Sequence, residues 1–457
     1  MSTISSTGIG SGLEIDTLVS KLVAAEKSAG QTRIDNKKGK LTEQFSAMAT
    51  LMGGMSAFQS SLNALVTAGS FNSRKVSVSD DKAFTAKAGA SAAAGTYDVQ
   101  VEQLAKAAQL GSDAFATANT AVGTGKLTIS VGTSSFSIDV GDGNKSLASI
   151  RDAINKASDN KGVQASLLTD VEGTHLVLTA TKTGASHALK VTASGGDGGL
   201  QKLVYDPAGT KNLKVRSEAK DAILFVSGYE IHSDSNTVSN AIEGVTLTLK
   251  APTAEDSSVQ LNVDRDNAAI QDAAKKFVDA YNSLAGTIKS LSKYDVGTDT
   301  GGPLIGDAML RNIDAQVRKM ISSPVAGVTG NYTTLASLGI TTQADGKLKL
   351  DADKFNAALN ANPGAVSDIF TSSNGVAVKL ADFMGAKTSS TGEVTVRSSN
   401  ITDSLVDLKD QQDALNARMK VIEQRYYRQF NALDTLLGQL NTTANALDSW
   451  IGQNKKD

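Results

Sequence analysis

At 457 residues the chain is longer than one hydrophobic core usually serves, so two to four domains of roughly 100–150 residues each are expected. Its 45 basic and 47 acidic side chains are mixed along the whole length and leave a net charge of −2, which provides no face suited to a phosphate backbone and argues against nucleic acid as a partner. The absence of cysteine excludes thiol chemistry and disulfides, although it fits many compartments.

Residues 1–14 are mostly Ser, Thr and Gly, with little to bury, and read as an interaction tail that is disordered until a partner orders it. The opening lacks a basic segment and Lys21 splits LVSKLVAA, so no cleaved secretory signal is expected. No apolar run approaches the length of a membrane span. A short helix is predicted to carry Ile15, Leu18, Val19 and Leu22 on one face. A second begins near Leu41, with Phe45, Met48, Met52, Met55, Phe58, Leu62 and Leu65 at helical spacing, and Gly69 stops it.

From Val76 to about Asp264 the period becomes two. Strands such as KVSVS, GTYDVQVEQL, KLTISV, SFSIDV, THLVLTA, ALKVTA, ILFVSG, VTLTLKA and SVQLNV are separated by Gly, Asp, Asn and Ser. Residues 135–157 read as strand, turn, a Ser146 cap and a short helix. Residues 228–249 read as a degenerate repeat of that order, with Asn236 or Thr237 capping a shorter helix.

Beyond Asp264 the helical period returns, with Ile270, Phe277, Tyr281, Leu284, Ile288 and Leu291 on one face. A Gly-rich loop leads to a helix around Met309–Ile321, and residues 334–370 read as strand, turn, strand and helix. From Leu405 onward apolar residues keep a heptad spacing. Leu405, Met419, Tyr426, Leu433, Leu440 and Leu447 form one track, and Leu408, Leu415, Ile422, Leu436 and Trp450 the other. Gln412 and Gln429 interrupt this seam, and such polar residues restrict its registers and partners.

The fold expected is multidomain α+β. Residues 1–44 and 406–457 form a terminal coiled-coil leg, and 45–79 with 265–405 a mixed helical/β domain. Residues 80–108 with 205–264 form an inner β-rich domain, and 109–204 an outer β-rich insert nested within it.

In order along nearly the whole chain, the segments GIGSGLEIDTLVSKLVAAE, GTYDVQVEQLAKAAQL, SNTVSNAIEGVTLTLKAPT, FVDAYNSLAGTIKSLSKYD, GPLIGDAMLRNI, TLASLGITTQADGKLKLD and EQRYYRQFNALDTLLGQLN resemble the bacterial flagellar filament cap family, hook-associated protein 2. The stretch from SFSIDV to ALKVTA is similar to the β-rich insert of flagellins and hook-associated proteins. The resemblance implies a non-enzymatic assembly protein with no cofactor, exported through the flagellar type III system and located outside the cell at the filament tip. There it would assemble as a homo-oligomer, commonly a pentamer, retain exported flagellin and promote its folding and polymerisation. The partners implied are further copies of the chain, flagellin, a neighbouring hook-associated protein, and an export chaperone at the C-terminal helix. Contacts with the adjacent protomer or flagellin are expected at Ile15, Leu18, Leu22, Leu433, Leu436, Leu440 and Leu447. The plain alternative is that this stripe packs within one chain.

No catalytic set emerges. The GIGSG glycines follow no strand, and VGTGK is followed by Leu127 where a phosphate loop needs a hydroxyl. Asp139, Asp142 and Asn144 miss the calcium-loop pattern and read as turn residues. His175, His187 and His232 share no ligand spacing. Two rival readings are a surface adhesin using the exposed β-rich domains, and another filament or junction subunit.

Overall fold

The computed structural model describes residues 14–453 apart from 256, 296, 298 and 299, so the expected N-terminal interaction tail lies outside the described residues. Contacts divide the chain into two compact units: residues 1–71 with 271–457, and the intervening 72–270. Eight α-helices run through the described residues: α1 (Ile15–Thr67), α2 (Leu147–Lys156), α3 (Asn267–Ser292), α4 (Ala308–Ser322), α5 (Ala352–Ala361), α6 (Pro363–Thr371), α7 (Val376–Thr388) and α8 (Glu393–Gln453). Long terminal helices and several central sheets make this a mixed α+β, multidomain chain.

In the helical unit α1 is one helix of 53 residues, where two had been expected. Residues 24–40 carry few apolar side chains, so periodicity alone gives no helix there. The residues are nonetheless mostly helix formers, and packing on α8, through Glu26, Gly30 and Gln31, carries the helix across them. Its second half buries Met48, Leu51, Met55, Phe58, Leu62 and Leu65. All six apolar residues predicted to line α3 are buried. Its Tyr281 hydroxyl donates to the Gly346 carbonyl at 3.0 Å, and Asn282 exchanges two hydrogen bonds with the Leu348 backbone, which ties α3 to the small hairpin of Ile340–Thr342 and Leu348–Leu350. Phe370 on α6 stacks on Phe71 at 4.0 Å and meets the edge of Phe277 at 5.3 Å. The single helix expected before Phe370 is two. Asn362 accepts from the Ala365 amide at 3.0 Å and Pro363 stands at the first turn of α6, where its missing N–H costs nothing.

Among the described residues the β unit holds four antiparallel sheets. Five strands run in the order Arg74–Val78, Val259–Arg265, Gly95–Gln103, Ala222–Val226 and Tyr229–Ser233, and three in the order Thr237–Ile242, Val245–Leu249 and Phe84–Ala88. These enclose one core, with Phe84, Val99, Val101, Leu224, Leu247 and Leu261 at its centre. Four more run Lys214–Ser217, Gln109–Gly111, Thr174–Ala180 and Val163–Thr169, and three run Ser134–Val140, Gly125–Val131 and Leu189–Ser194. With α2 they enclose a second core around Leu127, Ile129, Phe136, Ile150, Leu176 and Leu178. Phe136, Ile138 and Val140 point inward while Ser135, Ser137 and Asp139 stay exposed, the alternation a half-buried strand requires.

Ser146 caps α2 by accepting from the Ser149 amide at 3.1 Å, and Leu147, Ile150 and Ile154 give the helix its buried face. The helix expected after Asn236 is instead a strand, Thr237–Ile242, paired with Val245–Leu249 across a two-residue turn in which Gly244 has φ 73°. Six residues are too few to repay helix nucleation, and Gly at the left-handed position favours the hairpin. Asn236 is no cap: its side chain exchanges hydrogen bonds with the backbone of Ala105, at 2.8 and 2.9 Å. The degenerate repeat therefore fails in its second copy.

Candidate functional site

Where α1 and α8 pair, the two helices run antiparallel. Glu26 accepts from the Tyr426 hydroxyl at 3.2 Å, Gly30 lies under Leu415, and Gln31 meets Gln412, so rising numbers on α1 match falling numbers on α8. Ile401, Leu408, Met419 and Ile422 are buried on α8, with Leu405 and Leu415 half-buried. Ile15 and Val19 are buried on α1. Gly30 permits the close approach, since a Cβ there would stand 3.2 Å from a Leu415 methyl. Burial of each such side chain stabilises the pair by about 1.5–3 kcal/mol.

Gln412, read from the sequence as an interruption, holds the pair in register. Its side-chain amide donates to Gln31 at 2.8 Å and accepts from Gln31 at 2.6 Å. A slip by one turn would leave both amides half-buried without partners, at a cost of about 1–3 kcal/mol for each. Tyr427 adds a contact farther along. Partial burial, then a hydrogen bond with Asp16, raise its phenol above the ordinary value.

The apolar stripe does not end where the pairing does. Leu433, Leu436, Leu440 and Leu447 are 42%, 52%, 55% and 58% exposed, Trp450 is 65% exposed, and every residue from Asn441 to Ile451 is open to solvent. From Leu433 to Ile451 this stretch is about 27 Å long. On α1, Leu18 and Leu22 are also exposed, at 39% and 38%. Of the seven residues expected at contacts, the structure thus buries Ile15 inside the chain and leaves the other six at the surface. Ile15 lies in the first turn of α1, one turn before the buried Val19. An exposed stripe of this length on a helix marks a surface for another helix or a protein groove.

Elsewhere the polar residues serve turns. Asn144 accepts from the Gly141 amide at 2.6 Å, and Asp139 and Asp142 pair with Lys126 and Lys145. Asp197 ties a loop by accepting from the Gly199 and Thr124 amides, which hold its carboxyl below the usual range. His232 lies 2.8 Å from Glu230 on the surface, and His187 contacts Ser186. One grouping was not foreseen: Asp170, Glu172 and His175 bring three potential ligand atoms within 4.8 Å of one another at a hairpin turn. The signal lay in the local spacing Asp-x-Glu-x-x-His across a turn, which a search for spacing between histidines passes over. Among the described residues no helix is long and apolar enough to cross a membrane.

Comparison with known proteins is consistent along the chain. Residues 11–108 match the family model for the flagellar hook-associated protein 2 N-terminus, residues 219–442 that for its C-terminus, and residues 126–182 the flagellin hook IN motif. Flagellar hook-associated protein 2 of Escherichia coli strain K12 is 35% identical, covering 99% of each chain. The B-type flagellar hook-associated protein 2 of Pseudomonas aeruginosa is 34% identical over 95% of this chain and 94% of its own. The crystal structure of the D1-D2-D3 domains of the flagellar cap protein FliD from Escherichia coli superimposes with a TM-score of 0.71 at 34% identity, covering 78% of this chain and 99% of that one.

Proposed function

The chain belongs to the flagellar hook-associated protein 2 family, a family of structural cap proteins, and from that membership we propose that it caps the distal end of a bacterial flagellar filament. It retains exported flagellin there and promotes its folding and polymerisation as a non-enzymatic, extracellular homo-oligomer, with five copies the expected number. Export proceeds through the flagellar type III system, with a chaperone on the C-terminal helix, and a neighbouring hook-associated protein is a further contact. The division into a leg (1–44, 406–457), a mixed domain (45–79, 265–405), an inner β-rich domain (80–108, 205–264) and an outer insert (109–204) belongs to the same proposal.

One observation carries the contact surface: the stripe of Leu433, Leu436, Leu440 and Leu447 continues the seam of the leg but finds no cover among the described residues. Leu18 and Leu22 extend that surface on α1. Many small apolar contacts, each of modest strength, suit a partner that must be exchanged as subunits are added. A cap-deficient strain complemented with the full chain carrying L433S, L436S, L440S and L447S tests this. Melting temperature should match the unaltered chain and the variant should still be recovered from the medium, which shows that export and any chaperone contact on this helix survive, while filaments fail to extend and flagellin accumulates. Normal filaments would overturn the assignment of this surface. Gold-labelled antibody against the β unit should mark filament ends, and label along the shaft or on the cell body would overturn the cap reading itself.

A further inference from the structure

We propose that Asp170, Glu172 and His175 form a binding site for one divalent transition-metal cation of the zinc type, on the hairpin that joins Val163–Thr169 to Thr174–Ala180. The inference is independent of the cap reading.

The imidazole of His175 is buried, and its Nδ1 stands 2.8 Å from the Ser112 carbonyl. A carbonyl only accepts, so Nδ1 carries a proton, and in the neutral ring Nε2 is left with a lone pair. That lone pair faces a carboxylate: Asp170 Oδ2 lies 3.2 Å from Nε2. Two acceptors at that distance repel unless a proton or a metal ion stands between them. Nε2 is fully covered and its contact with Asp170 misses ordinary hydrogen-bond geometry, so the carboxylate is close but off-axis. Two ligand atoms sharing one tetrahedral zinc at about 2.0–2.1 Å each lie about 3.3 Å apart, and the observed separation fits that edge.

The surroundings are those of a metal-binding histidine. Donation from Nδ1 to a backbone carbonyl fixes the tautomer and ring orientation, the usual outer support of a ligating imidazole. Asp170 is held equally firmly. Its Oδ1 accepts from the amides of Glu172 and Gly173 at 2.8 and 3.2 Å, which aims Oδ2 at the ring. Glu172 is exposed and free to close on the third ligand position, with water as the fourth, and the exposed carboxylates leave an entry path. The charge of Arg216 opposes a cation here, and two carboxylates outweigh it. A nitrogen with two carboxylate oxygens suits zinc and its neighbours better than calcium or magnesium, which prefer all-oxygen sets.

Equilibrium dialysis of the untagged full chain against Zn²⁺ near neutral pH tests this, with the variant Asp170→Asn, Glu172→Gln alongside. Asp170→Asn keeps an oxygen for the two turn amides, so the fold and melting temperature should be unchanged. One saturable zinc per chain is expected, weakened at least tenfold in the variant, and the Nε2 resonance of His175 should shift as the site fills. Equal binding by the variant, which would place any zinc at His187 or His232, overturns the proposal. So does a protonated His175 ring that zinc does not perturb.

Discussion

The two halves of α8 carry one heptad pattern and meet opposite fates. From Ile401 to Ile422 the seam residues are buried or half-buried against α1, while from Leu433 to Trp450 they stand in solvent. Composition does not separate the halves, since both present leucines at the same interval. What differs is the reach of α1, whose described residues begin at Glu14, level with about residue 430 of α8. A seam is thus buried or open depending on whether the described part of α1 reaches it, and the same kind of side chain is core in one half and surface in the other.

That contrast can be broken by substitution. Ile422→Ala, in the covered half, should lower the unfolding free energy of the helical unit by about 2–4 kcal/mol, read by denaturant titration. A loss below about 1 kcal/mol would mean that the leg adds little to the fold. Gln31→Ala comes next. It strands the Gln412 amide and should cost about 1–2 kcal/mol, whereas replacing both glutamines by leucine should restore stability while loosening register, which cross-linking across the pair would reveal. Gly30→Ala sharpens the picture of close approach. Better helix propensity gains up to about 1 kcal/mol, crowding against the movable tip of Leu415 opposes it, and the net change in melting should be small. Leu440→Ser, in the open half, should alter stability by less than about 0.5 kcal/mol while reducing self-association in sedimentation experiments.

Much of the fold was legible wherever local pattern and tertiary role agree. The apolar face of α3, the Ser146 cap and the alternation of residues 135–140 each follow from spacing that needs no distant partner. Residues 237–242 misled because Ser239, Asn240 and Ala241 suit helix or strand, and the choice is made by pairing with Val245–Leu249 and by the bonds of Asn236 to Ala105. The continuity of α1 depends on a helix hundreds of residues away. At the candidate site the stripe itself could be read, but the point at which it leaves the pairing could not, because that is set by where the other helix begins. The Asp170, Glu172 and His175 grouping depends on a turn that folds six consecutive residues back on themselves.

The Gln31–Gln412 pair joins residues 381 apart in the chain. Every strand pairing of the β unit, by contrast, closes within residues 72–270. A chain emerging from its N-terminus can therefore complete the sheets while α1 still waits for a helix that appears last. Closing so long a loop is slow relative to local pairing, which makes zipping of the leg the expected final step of folding. The order in which the chain emerges thus acts as a timer: the helix that displays the exposed leucines is fixed against α1 only after the sheets of the β unit have had time to form.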